Sequence, residues 1–342
     1  MSEVRAKKAL GQHFLVDLNI ARKICDALSG GVRPEAGAET RAVAAGSADA
    51  DAETRTRAAG RADAGAEART KATGTADADA ETRRGVAASA DARLAADTTA
   101  AGAPAAAEEE RGGAVPCDVL EVGCGMGVLT QFLLRRGDIT TYGAEIDPES
   151  VEYLHAHFPE FAPRLIEGDF LKMNLRERFP RGLKIIGNFP YNISSQIFFK
   201  VLEHRDLVPE CVGMIQKEVA VRIAEPPGSK EYGILSVLLQ AWYDIEYLFT
   251  VNETVFNPPP KVKSAVIRLR RNSVGRLGCD EALFVKVVKA SFGQRRKMIR
   301  NSLRTVFGDF GGAEHPFFTQ RAEQLSVADF VQLTNWVAAN RK

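Results

Sequence analysis

Two hydrophobic periods alternate along most of this chain. Short apolar runs rich in Val, Ile and Leu are separated by longer stretches in which apolar residues recur every three or four positions. The runs read as strands buried on both faces, and the longer stretches as amphipathic helices that cover them. "CDVLEVGCGMGVLTQFLLRRG" predicts strand, glycine turn and helix, and "ITTYGAEIDPESVEYLHAHF" repeats strand then helix. "PRLIEGDFLKMN" and "GLKIIGNFPY" supply a third and a fourth strand, and "ECVGMIQKEVAVRIAE" a further strand and helix. "YGILSVLLQAW" is helical in pattern, and "YDIEYLFTV" with "SAVIRLRR" predicts a closing antiparallel pair. The sum is an α/β fold with a seven-stranded, mostly parallel sheet.

One stretch breaks this pattern. Residues 34–113 contain no aromatic residue and carry a fourteen-residue repeat, beginning "GAETRAVAAGSADA" at 37 and "DAETRTRAAGRADA" at 51. Fourteen is two heptads, but only Ala recurs at coiled-coil spacing and a Gly interrupts most copies. A segment with so little apolar surface cannot offset its ordering entropy, which predicts a disordered insert. Four regions follow: a basic arm and helix over 1–33, the insert over 34–113, a sheet domain over 114–274 and a small helical domain over 275–342.

Charge separates the insert further. It holds 10 Lys and Arg against 15 Asp and Glu, so the overall +1 conceals +6 in the remainder, a balance compatible with a polyanionic partner. Five cysteines at 25, 117, 124, 211 and 279 form no C-x-x-C pair, and the histidines no H-E-x-x-H, which argues against a disulfide framework and a metal site. His155 and His157 lie two apart and fall on different helix faces. No run reaches membrane-spanning length and the N-terminus intersperses charges among its apolar residues, so a cytoplasmic protein is expected.

The chemistry-bearing residues cluster at predicted strand ends, where ligands sit in sheets of this kind. Gly123, Gly125 and Gly127 form G-x-G-x-G, unlike the G-x-G-x-x-G of dinucleotide sites. A glycine turn alone signifies only a tight connection. Glu145, about twenty residues later at the end of the next strand, is placed to accept ribose hydroxyl protons, and Asp169 after the third strand to receive an adenine amino group. With no Walker-type G-K-[ST], the pattern describes an adenosine pocket without a phosphate clamp, and S-adenosylmethionine is the adenosine cofactor that lacks phosphates. The fourth strand ends in "NFPYNISS", where Pro190 forbids further sheet pairing and Asn188 and Tyr191 flank a rigid turn.

Together "KKALGQHFLVD", "VLEVGCGMGVLT", "GAEID", "EGDF", "NFPYNISS", "QKEVAVRI" with "GSKEYGILSVLLQ", "FNPPPKV" and "FGQRRKMIRNSL" resemble the ribosomal RNA adenine N6,N6-dimethyltransferases of the KsgA type, across everything but the insert. The resemblance implies a class I, Rossmann-like methyltransferase that dimethylates N6 of two adjacent adenosines in the 3′-terminal hairpin of small-subunit (16S) rRNA, as a monomer acting on a pre-30S particle, without a metal. It implies cofactor contacts at His13, Leu15, Gly123, Glu145, Asp169 and Asn188, and catalytic roles for Asn188, Pro190, Tyr191 and Phe256. In this scheme Asn188 and the Pro190 carbonyl orient the target nitrogen, while Tyr191 and Phe256 stack on the two faces of the base. His13 and Phe189 depart from the family's usual Asn and Leu.

Arg295, Arg296, Lys297, Arg300 and Arg304 crowd a helical segment that has no acid from 293 to 304, the expected RNA-phosphate surface, which Arg5, Lys7 and Lys8 would extend. On a helix, a charge run by itself signifies only a solvated face. The competing readings are an Erm-type enzyme acting on large-subunit rRNA and a ribosome-assembly factor whose methylation is dispensable.

Overall fold

In a computed structural model of the protein, residues 4–30 and 116–341 are described, and the expectation of a disordered insert concerns residues outside them. These residues form one compact unit around a seven-stranded sheet. The strands are β2 (Cys117–Val122), β3 (Ile139–Glu145), β4 (Leu165–Glu167), β5 (Lys184–Asn188), β6 (Glu210–Gln216), β7 (Tyr243–Val251) and β9 (Ser264–Arg271). Their order is β4-β3-β2-β5-β6-β9-β7. The first five are parallel, and β9 runs antiparallel to both β6 and β7.

The chain winds outward from β2 to β4 and then returns to place β5 on the other side of β2. Loops after β2 and β5 therefore diverge and open a crevice at the carboxyl edge. A two-residue strand, β1 (Phe14–Leu15), pairs antiparallel with β8 (Phe256–Asn257), so the N-terminal arm is stitched to the segment before β9. Leu15 lies opposite Phe256, and both are buried in the smaller of the two large cores with Ile24, Ile186 and Val266.

Helices α8 (Glu281–Gly293), α9 (Ile299–Phe307) and α10 (Val327–Asn340) do not form a core of their own. Phe284, Val287, Phe330 and Leu333 belong to the same apolar cluster as Leu120 and Ile185 of the sheet. The boundary expected near 275 is therefore a change in architecture with no break in packing. Among the described residues no helix is long and apolar enough to cross a membrane.

The amino edge of the sheet holds a polar anchor. Helix α1 (Leu18–Ala27) ends against Lys184 and Glu210, which open β5 and β6. Lys184 Nζ donates to the Ser29 carbonyl (2.9 Å), Ser29 Oγ (2.7 Å) and the Gly30 carbonyl (3.1 Å), and pairs with Glu210 at 3.0 Å. Glu210 accepts from the Ser29 amide at 3.1 Å, and Arg136 Nη1 donates to the Cys25 and Leu28 carbonyls at 3.1 and 2.9 Å. The carbonyls that a helix end leaves orphaned thus find donors.

Candidate active site

The crevice is a cavity of about 190 Å³. Its lining comes from the arm (Leu10 to Phe14), the glycine turn (Gly123, Gly125), the end of β3 (Glu145, Ile146), the β4 loop (Gly168 to Leu171) and the β5 loop (Asn188 to Ile193).

Glu145 is 4% exposed, and its carboxylate accepts from the Gly125 amide at 2.8 Å and from those of Ile146 and Asp147 at 2.9 Å each. It pins the glycine turn while keeping oxygen lone pairs for a ligand. Gly125 has φ +53°, and a Cβ there would lie 3.1 Å from the Phe14 ring, so both backbone and space call for glycine. Burial raises the Glu145 pKa, opposed by these hydrogen bonds. Beneath it, Glu121 is pushed up to about 8 by burial, with the Glu145 charge adding to the effect, and it accepts from Thr130 Oγ1 at 2.6 Å. Asp169 caps the short turn that follows it, accepting from the Leu171 amide at 2.9 Å, and also borders the cavity.

The β5 loop hangs on Phe189. Its ring is 1% exposed and packs edge-on to Phe198 at 5.8 Å. A Cβ on Gly187 or Gly213 would come within 2.8 or 2.5 Å of it, so two strand glycines clear the space for a residue bulkier than leucine. With Phe189 fixed downward, Asn188 and Tyr191 face the cavity. Asn188 Nδ2 donates to the His13 carbonyl at 2.9 Å, leaving Oδ1 as the free acceptor. The Pro190 carbonyl accepts from the Ile193 amide at 3.2 Å, which leaves one lone pair. The Tyr191 hydroxyl meets Ser264 Oγ at 2.5 Å, and burial raises its pKa.

The arm closes the cavity from the other side. Lys7 pairs with Asp147 and, at 3.0 Å, with Glu149, while Gln12 Nε2 donates to Asp147 at 3.3 Å. Asp147 is fully buried, and the lysine and glutamine beside it hold its carboxyl below the usual carboxylate range against the opposing effect of burial. Its role as the fastening point of the arm was not visible in sequence, where it reads only as the residue before α3 (Pro148–His157).

Several expectations need correction. Phe256 and Leu15 do not reach the cavity, because antiparallel pairing turns both into the core at 3% and 2% exposure. Lys7 is engaged by the arm clasp, paired with Asp147 and Glu149. Arg295 donates to the Lys230 and Tyr232 carbonyls and so ties the turn before α9 to the "GSKEYG" loop. Arg300 pairs with Glu314 at 2.5 Å and Arg304 with Asp309 at 2.9 Å, acids that lie beyond the acid-free stretch but fold back onto it. Arg296 and Lys297 are exposed and, among the described residues, take no acidic partner. His13, Gly123, Glu145, Asp169, Asn188, Pro190 and Tyr191 do converge on one cavity.

A family model described as ribosomal RNA adenine dimethylase matches residues 116–339. The chain belongs to this family. It is 61% identical over 218 residues to the ribosomal RNA small subunit methyltransferase A of Parabacteroides distasonis, a match covering 63% of this chain and 81% of that protein. The protein of the same description from Bacteroides thetaiotaomicron is 60% identical over 221 residues, covering 64% and 82%. Among solved structures, a dimethyladenosine transferase from Plasmodium falciparum superposes with a TM-score of 0.54 at 26% identity, covering 65% of this chain and 90% of that one. In this member of the adenine dimethylase family the side chain of His13 meets the Pro258 carbonyl and the Tyr191 ring, and that of Phe189 fills the space that two strand glycines clear.

Proposed function

We propose that the protein transfers methyl groups from S-adenosylmethionine to N6 of two adjacent adenosines in the 3′-terminal hairpin of small-subunit (16S) rRNA, acting as a cytoplasmic monomer on a precursor particle. The observation that carries this reading is the Asn188 amide. Its nitrogen is committed to the His13 carbonyl, which leaves its oxygen as the free acceptor of a side chain that lines the cavity together with Pro190.

The cavity fits the cofactor. Glu145 would hold the ribose hydroxyls, Asp169 the adenine amino group and Gly123 the close backbone approach, with Phe170 and Leu171 as apolar walls. When bound, S-adenosylmethionine supplies an electrophilic methyl group on a sulfonium. An adenine N6 lone pair is delocalised into its ring and is a poor nucleophile. Hydrogen bonds from N6–H to Asn188 Oδ1 and the Pro190 carbonyl draw that nitrogen toward tetrahedral geometry and localise the pair. As the N6–C bond forms and the S–C bond breaks the nitrogen becomes cationic and sheds its proton to water, so no strong base is required, and orientation supplies the main contribution. The half-buried Tyr191 ring offers a stacking face to a base taken out of its helix, worth about 1 to 3 kcal/mol. Arg296 and Lys297 remain available for phosphates.

The test is mass spectrometry of rRNA from cells lacking the protein. Adjacent dimethyladenosines should vanish from small-subunit rRNA and return with the wild-type chain but not with Asn188→Ala. Their persistence in the deletion strain, or their loss from large-subunit rRNA instead, overturns the assignment.

A further inference from the structure

His13 touches more of the transfer machinery than a cofactor contact requires. Its carbonyl accepts from Asn188, its Nδ1 lies 2.9 Å from the Pro258 carbonyl, and its ring lies 5.2 Å from that of Tyr191 at an interplanar angle of 33°. A carbonyl can only accept, so Nδ1 is the donor and the imidazole is tethered to the segment following β8. Tyr191 is tethered separately through Ser264 at the start of β9.

We propose that His13 is a positioning residue for methyl transfer, holding the Tyr191 ring from behind and the Asn188 amide in its acceptor-outward orientation; this rests on the adenine-methylating reading above. Two rings at 5.2 Å leave no room for a base between them, since intercalation needs twice one stacking distance. A target base therefore stacks on the face of Tyr191 that His13 does not cover. With Phe256 buried in the core, His13 is the ring that stiffens this platform. The tether to Pro258 fixes the imidazole, the imidazole fixes Tyr191, and the backbone at 13 is held where its carbonyl meets Asn188 Nδ2.

Three variants separate these parts: His13→Asn keeps a donor, His13→Phe keeps a ring, and His13→Ala keeps neither. Single-turnover methylation of a small-subunit precursor particle at saturating S-adenosylmethionine should fall about tenfold in His13→Ala, with partial recovery in His13→Phe. In a Tyr191→Ala background the further loss from His13→Ala should shrink to about twofold or less, the signature of coupled residues. A second measurement needs no RNA: 3-fluorotyrosine placed at 191 should give one sharp fluorine resonance in the wild-type chain and a shifted or broadened one in His13→Ala. Effects confined to the cofactor KM, full additivity with Tyr191→Ala, or an unmoved fluorine resonance overturn the proposal. A wild-type chain inactive on every RNA but with the expected fluorine response would overturn the functional reading, and with it the role in methyl transfer, while an active chain with an unmoved resonance would overturn the positioning role alone.

Discussion

Replacing Glu145 by Gln changes one atom and should unfasten the glycine turn. In the wild-type chain one carboxylate oxygen takes the amides of Ile146 and Asp147 and the other takes the amide of Gly125 at 2.8 Å. A glutamine can keep its carbonyl toward the first pair, but its NH2 then confronts the Gly125 N–H, donor against donor. One charge-assisted bond is lost and a buried amide is left unpaired, about 1.5 to 3 kcal/mol, or roughly 10- to 150-fold in S-adenosylmethionine affinity. RNA affinity should change little, since the residue sits at the bottom of the cavity and carries no phosphate contact. Isothermal titration with cofactor and with RNA separates the two. The pH dependence adds a second arm. Because the folded pKa lies above the ordinary 4.5, the folded state takes up the proton first as pH falls, so protonation stabilises the fold while removing an acceptor. Cofactor affinity should therefore decline with falling pH before ordinary carboxylates titrate, with no unfolding, and this decline should be absent in Glu145→Gln. Equal affinities for the two proteins at neutral pH would refute the reasoning.

Tyr191→Ala should lose about 1 to 3 kcal/mol of base stacking, whereas Tyr191→Phe, which forfeits only the hydrogen bond to Ser264, should keep most of its transfer rate in a single-turnover assay. Phe256→Ala should cost about 3 to 5 kcal/mol in urea unfolding as a core cavity, and Phe256→Leu under about 1.5 kcal/mol with near-normal transfer per folded molecule; a stable but inactive Phe256→Leu would restore the ring to the substrate. Reversing Arg296 and Lys297 to Glu should weaken RNA binding and flatten its dependence on salt, while Arg300→Glu with Arg304→Glu should have the smaller effect because their charges are already paired.

The sheet was legible because strands buried on both faces leave continuous apolar runs, and all seven appear with the expected mostly parallel order. The cavity was legible because its polar residues fall at strand ends, and position along the strand fixes position in space. Side-chain direction was not. Leu15 and Phe256 belong to recognisable motifs, yet pairing of β1 with β8 sends both inward, and a two-residue strand is too short to announce itself by alternation. The basic segment misled for a related reason. Its acid-free length concealed Asp309 and Glu314, which only the turn after α9 brings into range. Nor does sequence show which cation will be consumed by a clasp, as Lys7 is, and which left for a polyanion.

The anchor at Ser29 and Gly30 has a consequence for engineering. Because Lys184, Glu210 and Arg136 moor the end of α1 directly to the sheet, the arm keeps its station whatever polypeptide follows it. Cys117 re-enters at the same amino edge, opposite the face that carries the chemistry. Lengthening a connection from about 5 to about 80 residues costs only about 2.4 kcal/mol of closure entropy, four doublings at about 0.6 each. Both ends of that stretch are thus held at one edge of the sheet, so a change in its length leaves the moorings of Ser29 and Gly30 on Lys184 and the pairing of the strand that Cys117 opens intact.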